Sequence, residues 1–229
     1  MLLLVAAVAP SAALLYYFYT RDKYEKEPRR LLLKAFLLGG GLVIPVLFVE
    51  MTLNIFDMAD FNLLTAGYTA FVVAGLVEES SKFLLFFFYI WKNREFNEMY
   101  DGIVYAVFIS LGFATVENLA YVLSTGFNTA LVRSLTAVPA HALFAVAMGY
   151  YLGIAKFAEP RYRQKYILLG FATPVILHGI YDFNIFTSME SDYIEIYLGV
   201  FVHISNSAII LISLVLTFFM AKQLIKKQC

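Results

Sequence analysis

Glu78 and Glu79 stand side by side near the middle of a long apolar run, and Lys82 follows within the next turn. On a helix that spacing sets the ammonium beside the carboxylates, where it can hold one of them as an anion. Two adjacent carboxylates in low dielectric do not both ionise easily, which suits one of them to take a proton from water and give it back. His178 and Asp182 form an i,i+4 pair that can orient each other or hold one ligand. Ser110, Ala114, Glu117 and Tyr121 recur at helical spacing with Asn118 beside them, His141 follows Pro139, and His203 lies near Asn206 and Ser207. Together these residues offer what hydrolysis by water requires: a base, donors for a developing oxyanion, and an acid for the leaving group.

Taken singly, each has a plainer reading. A buried Glu–Lys pair can lock helix packing, Glu117 and Asn118 can serve as interhelical hydrogen-bond glue, and His203 reads as packing or support. A metal-dependent version of the site is equally well supplied, because Glu78 or Glu79, His141, His178 and Asp182 match the ligand set of a catalytic zinc. Lys82 opposes a neighbouring cation, so the preferred reading is a glutamate base with no cofactor. Other intramembrane hydrolase signatures are missing: there is no His-Glu-x-x-His, no Gly-x-Ser-Gly, and no Gly-x-Gly-Asp to pair with the Tyr-Asp steps at Tyr100–Asp101 and Tyr181–Asp182. The same polar groups could also carry protons or a divalent metal in a transporter, although no inverted repeat is visible. A scaffold that binds a membrane partner without cutting it is the third alternative.

The elements that must position these groups are membrane helices. Of 229 residues, 61% are hydrophobic and only 15% charged, where an ordinary soluble domain carries about 25% charged residues. Lys+Arg and Asp+Glu are equal at 17 each, which leaves no basic excess for a nucleic-acid partner. The one cysteine, Cys229, excludes an intrachain disulfide. A spanning helix needs about 20 mostly apolar residues. Seven stretches qualify, at about Leu2–Tyr19, Leu31–Val49, Ala66–Trp91, Ile103–Leu123, Ala130–Phe157, Tyr166–Phe186 and Ile194–Ala221. The first has no basic residue before it and is read as a retained span rather than a signal peptide.

With seven passes, nearly all Lys and Arg fall on one set of loops, and the other set holds Arg133 with Asp57, Asp60, Glu190, Asp192 and Glu195. The expectation is an all-α bundle with its N-terminus outside and its C-terminus in the cytoplasm, forming one domain over residues 1–229. Each intramembrane charge costs at least about 2.5–3.5 kcal/mol on insertion scales. Ionisable groups on several helices at similar depth therefore point to one wet cavity open towards the outside.

The motifs in order are Val77-Glu78-Glu79-Ser80-Ser81-Lys82, Asp101-Gly102, Gly112-Phe113-Ala114-Thr115-Val116-Glu117-Asn118 with Tyr121, His141-Ala142-Leu143-Phe144, Gly149-Tyr150-Tyr151-Leu152-Gly153 and His178-Gly179-Ile180-Tyr181-Asp182-Phe183. Over residues 77–183 this succession resembles the PrsW family of intramembrane proteases. It is similar, more distantly, to the glutamate-dependent CAAX prenyl proteases, with Asp182 where that family has Asn and Ala137 where it has Phe. The resemblance implies an initiating, site-1 cut of a single-pass anti-sigma factor near its extracytoplasmic side, in a bacterial plasma membrane, releasing a sigma factor in response to envelope stress. It further implies that Glu78 and Glu79 match the family's essential acid pair, and that Glu117, His141, His178 and Asp182 match its other polar positions.

Overall fold

The computed structural model describes residues 2–22, 25–54, 63–189 and 219, and every regular element among them is helical. The expected seventh span, His203 and the acidic loop residues Asp57, Asp60, Glu190, Asp192 and Glu195 lie outside the described residues.

Helix α1 (Leu2–Arg21) covers the first expected span. The second becomes α2 (Arg29–Gly41) and α3 (Val43–Leu53), joined at Leu42. The third is one helical stretch, α4 (Leu63–Tyr68), a π-helical segment Thr69–Leu76, α5 (Val77–Leu85) and a second π-helical segment Phe86–Ile90. Helix α6 (Asp101–Thr125) exceeds the expected fourth span by two residues at each end.

The expected fifth span is not one rod. It divides into α7 (Phe127–Leu135) and α8 (Ala137–Phe157) at Thr136, whose φ of −121° and ψ of −73° leave the helical region. Pro139, in the first turn of α8, has no N–H with which to continue the hydrogen-bond ladder from α7. The sixth is α9 (Pro160–Met189). Among the described residues, Arg29–Leu53, Asp101–Thr125, Val132–Phe157 and Pro160–Thr187 are four helices long and apolar enough to cross a membrane.

Helices α6 and α8 are the inner rods, with most of their residues buried, whereas only about a third or less of α2–α3 and α9 is fully buried. Burial of α6 depends on small residues. A Cβ on Gly39 of α2 would overlap the Ile109 carbonyl, and one on Gly112 the Phe36 carbonyl, so α2 and α6 meet backbone to backbone. Gly102 and Gly149 do the same for α6 and α8. With lipid as apolar as Leu, such close approach is a main source of helix association. On the other flank Gly75 lies against the α9 backbone at Gly179, next to His178. Those crossings bring the N-terminal half of α5, the C-terminal half of α6, the first turns of α8 and the second half of α9 around one point.

Candidate active site

At that point the charges of α5 find partners. The Lys82 ammonium donates to Glu78 Oε2 at 3.0 Å and to Glu79 Oε1 at 2.7 Å, and it lies 3.2 Å from His141 Nδ1. It also sits 4.3 Å from the centre of the Phe113 ring. Since an ammonium only donates, Nδ1 of His141 must accept, which leaves Nε2 to donate to Glu117 Oε2 at 3.0 Å. His178 reaches the pair from α9: Nδ1 lies 3.0 Å from Glu79 Oε1 and Nε2 lies 3.3 Å from Asp182 Oδ2. The two imidazoles stand edge to face with centroids 5.2 Å apart, and Phe144 stacks on His178 at 4.9 Å. Ser110 holds the α8 backbone in place by donating to the His141 carbonyl at 2.9 Å.

The two glutamates are not equivalent. Glu79 is fully buried; its Oε1 accepts from both Lys82 and His178, and its Oε2 has no partner among the described residues. Glu78 accepts from Lys82, and 8% of its side chain remains exposed. Exposure rises away from this floor through Asp182 to Glu117, so the cluster is graded from a dry end to a more open one.

At the open end stands a residue that the sequence marked only as a charge near the start of the fifth expected span. Arg133 of α7 pairs with Glu117 Oε2 at 2.9 Å, donates from Nε to Asn118 Oδ1 at 3.1 Å and lies 4.0 Å from the centre of the Tyr121 ring. Gly126, with φ of 93°, turns the chain back after α6 and makes this return possible. The one signal in the sequence was that Arg133 is the sole cation assigned to the acidic side. Glu50 on α3 was missed as well, although it lies in electrostatic reach of Glu78 and Glu117. The second expected span stopped one residue short of it.

Asn118 is fully buried and faces α1, donating to the Ala7 carbonyl at 2.9 Å while Arg133 occupies its oxygen. Tyr121 is half exposed under the Arg133 guanidinium. Neither touches the glutamate pair. Glu78, Glu79, Lys82, Glu117, His141, His178 and Asp182 do form one connected network, drawn from α5, α6, α8 and α9.

One ligand atom each from Glu78, Glu79, His141 and His178 lies within 4.8 Å of the others. Two carboxylates and two imidazoles at that spacing fit a zinc-type metal, and the unpartnered Glu79 Oε2 is a free donor for it. Lys82, hydrogen-bonded to three of the four, competes for the same place.

Comparison with known proteins adds the following. Residues 27–212 match a sequence model described as PrsW family intramembrane metalloprotease. A protein named Protease PrsW from Geobacillus kaustophilus is 42% identical over 199 residues, spanning 87% of this chain and 85% of its own length. Proteins of the same name from Oceanobacillus iheyensis and Bacillus subtilis are 42% and 39% identical over 181 residues, each spanning 79% of this chain and 81% of its own length. No solved structure matches the chain.

Proposed function

The chain belongs to the PrsW family of intramembrane proteases and is a peptidase, and on that premise we propose that it cuts a single-pass membrane protein with water activated by Glu78. The observation that carries this reading is the unequal setting of the two acids. Glu79 has its charge fixed by Lys82 and His178 in a dry pocket, whereas Glu78 retains one edge open to an incoming water. In this reading Glu78 takes the proton from water and passes it to the leaving amide nitrogen. Glu79 and Asp182 hold the His178 ring between them, and His141 is held by Lys82 on one side and Glu117 on the other. Both nitrogens of each ring are engaged in these contacts, so one imidazole exchanges its carboxylate partner for the substrate before it donates to the oxyanion.

The chain is read as crossing the membrane seven times with its N-terminus outside, supported by the four candidate crossing helices and by the skew of Lys and Arg. In that orientation Glu117 and Arg133 lie towards the outer side, and the substrate enters from there. The substrate is an anti-sigma factor with one span, cut first at this site near its extracytoplasmic boundary. This part rests on the family resemblance.

A second reading is favoured by the four-donor set and by the description of the matching family. Glu78, Glu79, His141 and His178 would hold a zinc ion, which supplies Lewis-acid polarisation of the scissile carbonyl and a more acidic water. Lys82 would have to leave its central position. The leading reading is preferred because Lys82 already neutralises the same donors.

Purified protein reconstituted with a single-span anti-sigma factor, with the products mapped by mass spectrometry, tests the proposal. A cut at or near the outer boundary of the span, retained after metal removal by 1,10-phenanthroline, is expected. A cut lost with metal and restored by zinc transfers the mechanism to the second reading. Absence of any cut, with the same liposomes passing protons or divalent metal, contradicts the peptidase site.

A further inference from the structure

Helix α6 carries a second acidic centre at its other end. Asp101 is its first residue and Glu117 lies 16 positions later, so at 1.5 Å per residue the two are about 24 Å apart. Beside Asp101 are Asp22, immediately after α1, and Glu27, two residues before α2. All three are buried, at 1%, 1% and 4% exposure respectively. One carboxylate oxygen from each lies within 4.8 Å of the others.

Acidic residues gathered at a helix start are not in themselves a site, but the state of these oxygens is telling. Among the described residues, both carboxylate oxygens of Asp22 and Oδ1 of Asp101 are sealed from solvent with no hydrogen-bond partner. Asp101 Oδ2 is occupied, accepting the backbone N–H groups of Asn97 at 2.9 Å and Glu98 at 2.7 Å. Glu27 Oε2 accepts the Tyr105 hydroxyl. The neighbouring ammonium of Lys26 is turned to main-chain carbonyls, those of Tyr19 at 2.7 Å and Asp22 at 2.5 Å. Three dry carboxylates with three orphaned oxygens leave a large electrostatic deficit that no side-chain cation in direct contact removes among the described residues.

We propose that Asp22, Glu27 and Asp101 bind a hard divalent cation, which ties the α1–α2 connection to the start of α6, apart from the Glu78–Glu79 cluster. An all-oxygen, all-carboxylate donor set selects calcium, magnesium or manganese over zinc. At metal–oxygen distances of about 2.3–2.6 Å for calcium, two ligands on opposite sides of the ion are about 5 Å apart. The observed 4.8 Å limit lets all three donors reach one ion. The cation would neutralise the buried charge and fasten three separate parts of the chain. This inference does not depend on the peptidase mechanism.

The test uses the full-length protein in detergent, stripped with EDTA and titrated with Mn2+ while free Mn2+ is followed by electron paramagnetic resonance. Wild type should bind one equivalent that Ca2+ or Mg2+ displaces, and the same titration should raise its melting temperature. Asp22→Asn and Glu27→Gln should each lose that equivalent and the melting shift, while the Glu78→Gln/Glu79→Gln double variant keeps both. Terbium supplies a readout that needs no change to the ligands. Tb3+ at this site should emit on tyrosine excitation, and Tyr105→Phe should reduce that emission while the Mn2+ equivalent remains. No bound equivalent in wild type, an equivalent that survives both Asp22→Asn and Glu27→Gln, or one lost only in the Glu78/Glu79 variant would overturn the proposal.

Discussion

His178 on α9 meets Glu79 on α5 through a 3.0 Å hydrogen bond that joins residues 99 positions apart in the chain. The contact exists because Gly75 and Gly179 let the two helices approach until their backbones nearly touch. It makes the more deeply buried carboxylate a fixed part of the framework, and it leaves the neighbouring Glu78 as the acid with room for water.

Lys82 neutralises both acids, so its removal leaves two buried carboxylates without a countercharge. Lys82→Met should destabilise the protein by about 3–5 kcal/mol, the usual penalty for breaking a buried pair from one side. Thermal unfolding in nanodiscs measures this. If the second, metal-dependent reading were right, the same variant should bind zinc more tightly than wild type, which isothermal titration would detect.

Asp182 touches the network through His178 Nε2 and is more exposed than the acids of α5. Asp182→Asn keeps the volume and removes the charge, so the imidazole loses one of its two holders. A fall in kcat of about 10- to 100-fold with little change in melting temperature is expected. A loss of stability without loss of kcat would make Asp182 a packing residue.

Arg133 and Glu117 form a half-open pair on the proposed entry side. Arg133→Ala should lower kcat/KM about tenfold, which corresponds to roughly 1.4 kcal/mol. Lys at this position should restore only part of it, because it lacks the second donor that reaches Asn118. Combining Arg133→Ala with Glu117→Gln should give less than the sum of the two single losses if the residues act as a unit.

The glycines of α2 separate packing from propensity. Gly39 meets the α6 backbone, whereas a Cβ on Gly41 would have nothing within 4 Å. Gly39→Ala should destabilise by about 1–3 kcal/mol through overpacking. Gly41→Ala should be neutral or stabilise by up to about 1 kcal/mol, as replacing Gly in a helix does. Melting curves of the two variants, compared directly, check both signs.

Much of this was legible in the sequence because lipid penalises charge. Glu78, Glu79 and Lys82 stand out in an apolar run, and the i,i+4 step from His178 to Asp182 places both side chains on one face before any coordinates are known. The network joining Glu117 and His141 to them follows from helix crossings that no local pattern encodes. Arg133 was hidden because hydrophobicity alone does not reveal the break at Thr136 or the reversal at Gly126. Asn118, adjacent to Glu117, is rotated about 100° from it on a helix, so it faces α1 instead of the acids. Asp101 stands out in the sequence only through its Asp101-Gly102 motif; nothing local links it to Asp22 and Glu27, and only the folding of three segments onto one another buries them together.

The central claim is that Glu78 is the base, and the direct measurement is the rate of cleavage of a reconstituted single-span substrate by wild type and by Glu78→Gln. The amide keeps the size of the side chain and a hydrogen-bonding oxygen for Lys82 but cannot take a proton. The account predicts a rate reduced by about 10²–10⁴-fold, the range general-base catalysis supplies, with an unchanged melting temperature. A Glu78→Gln protein that cuts at the wild-type rate would contradict it.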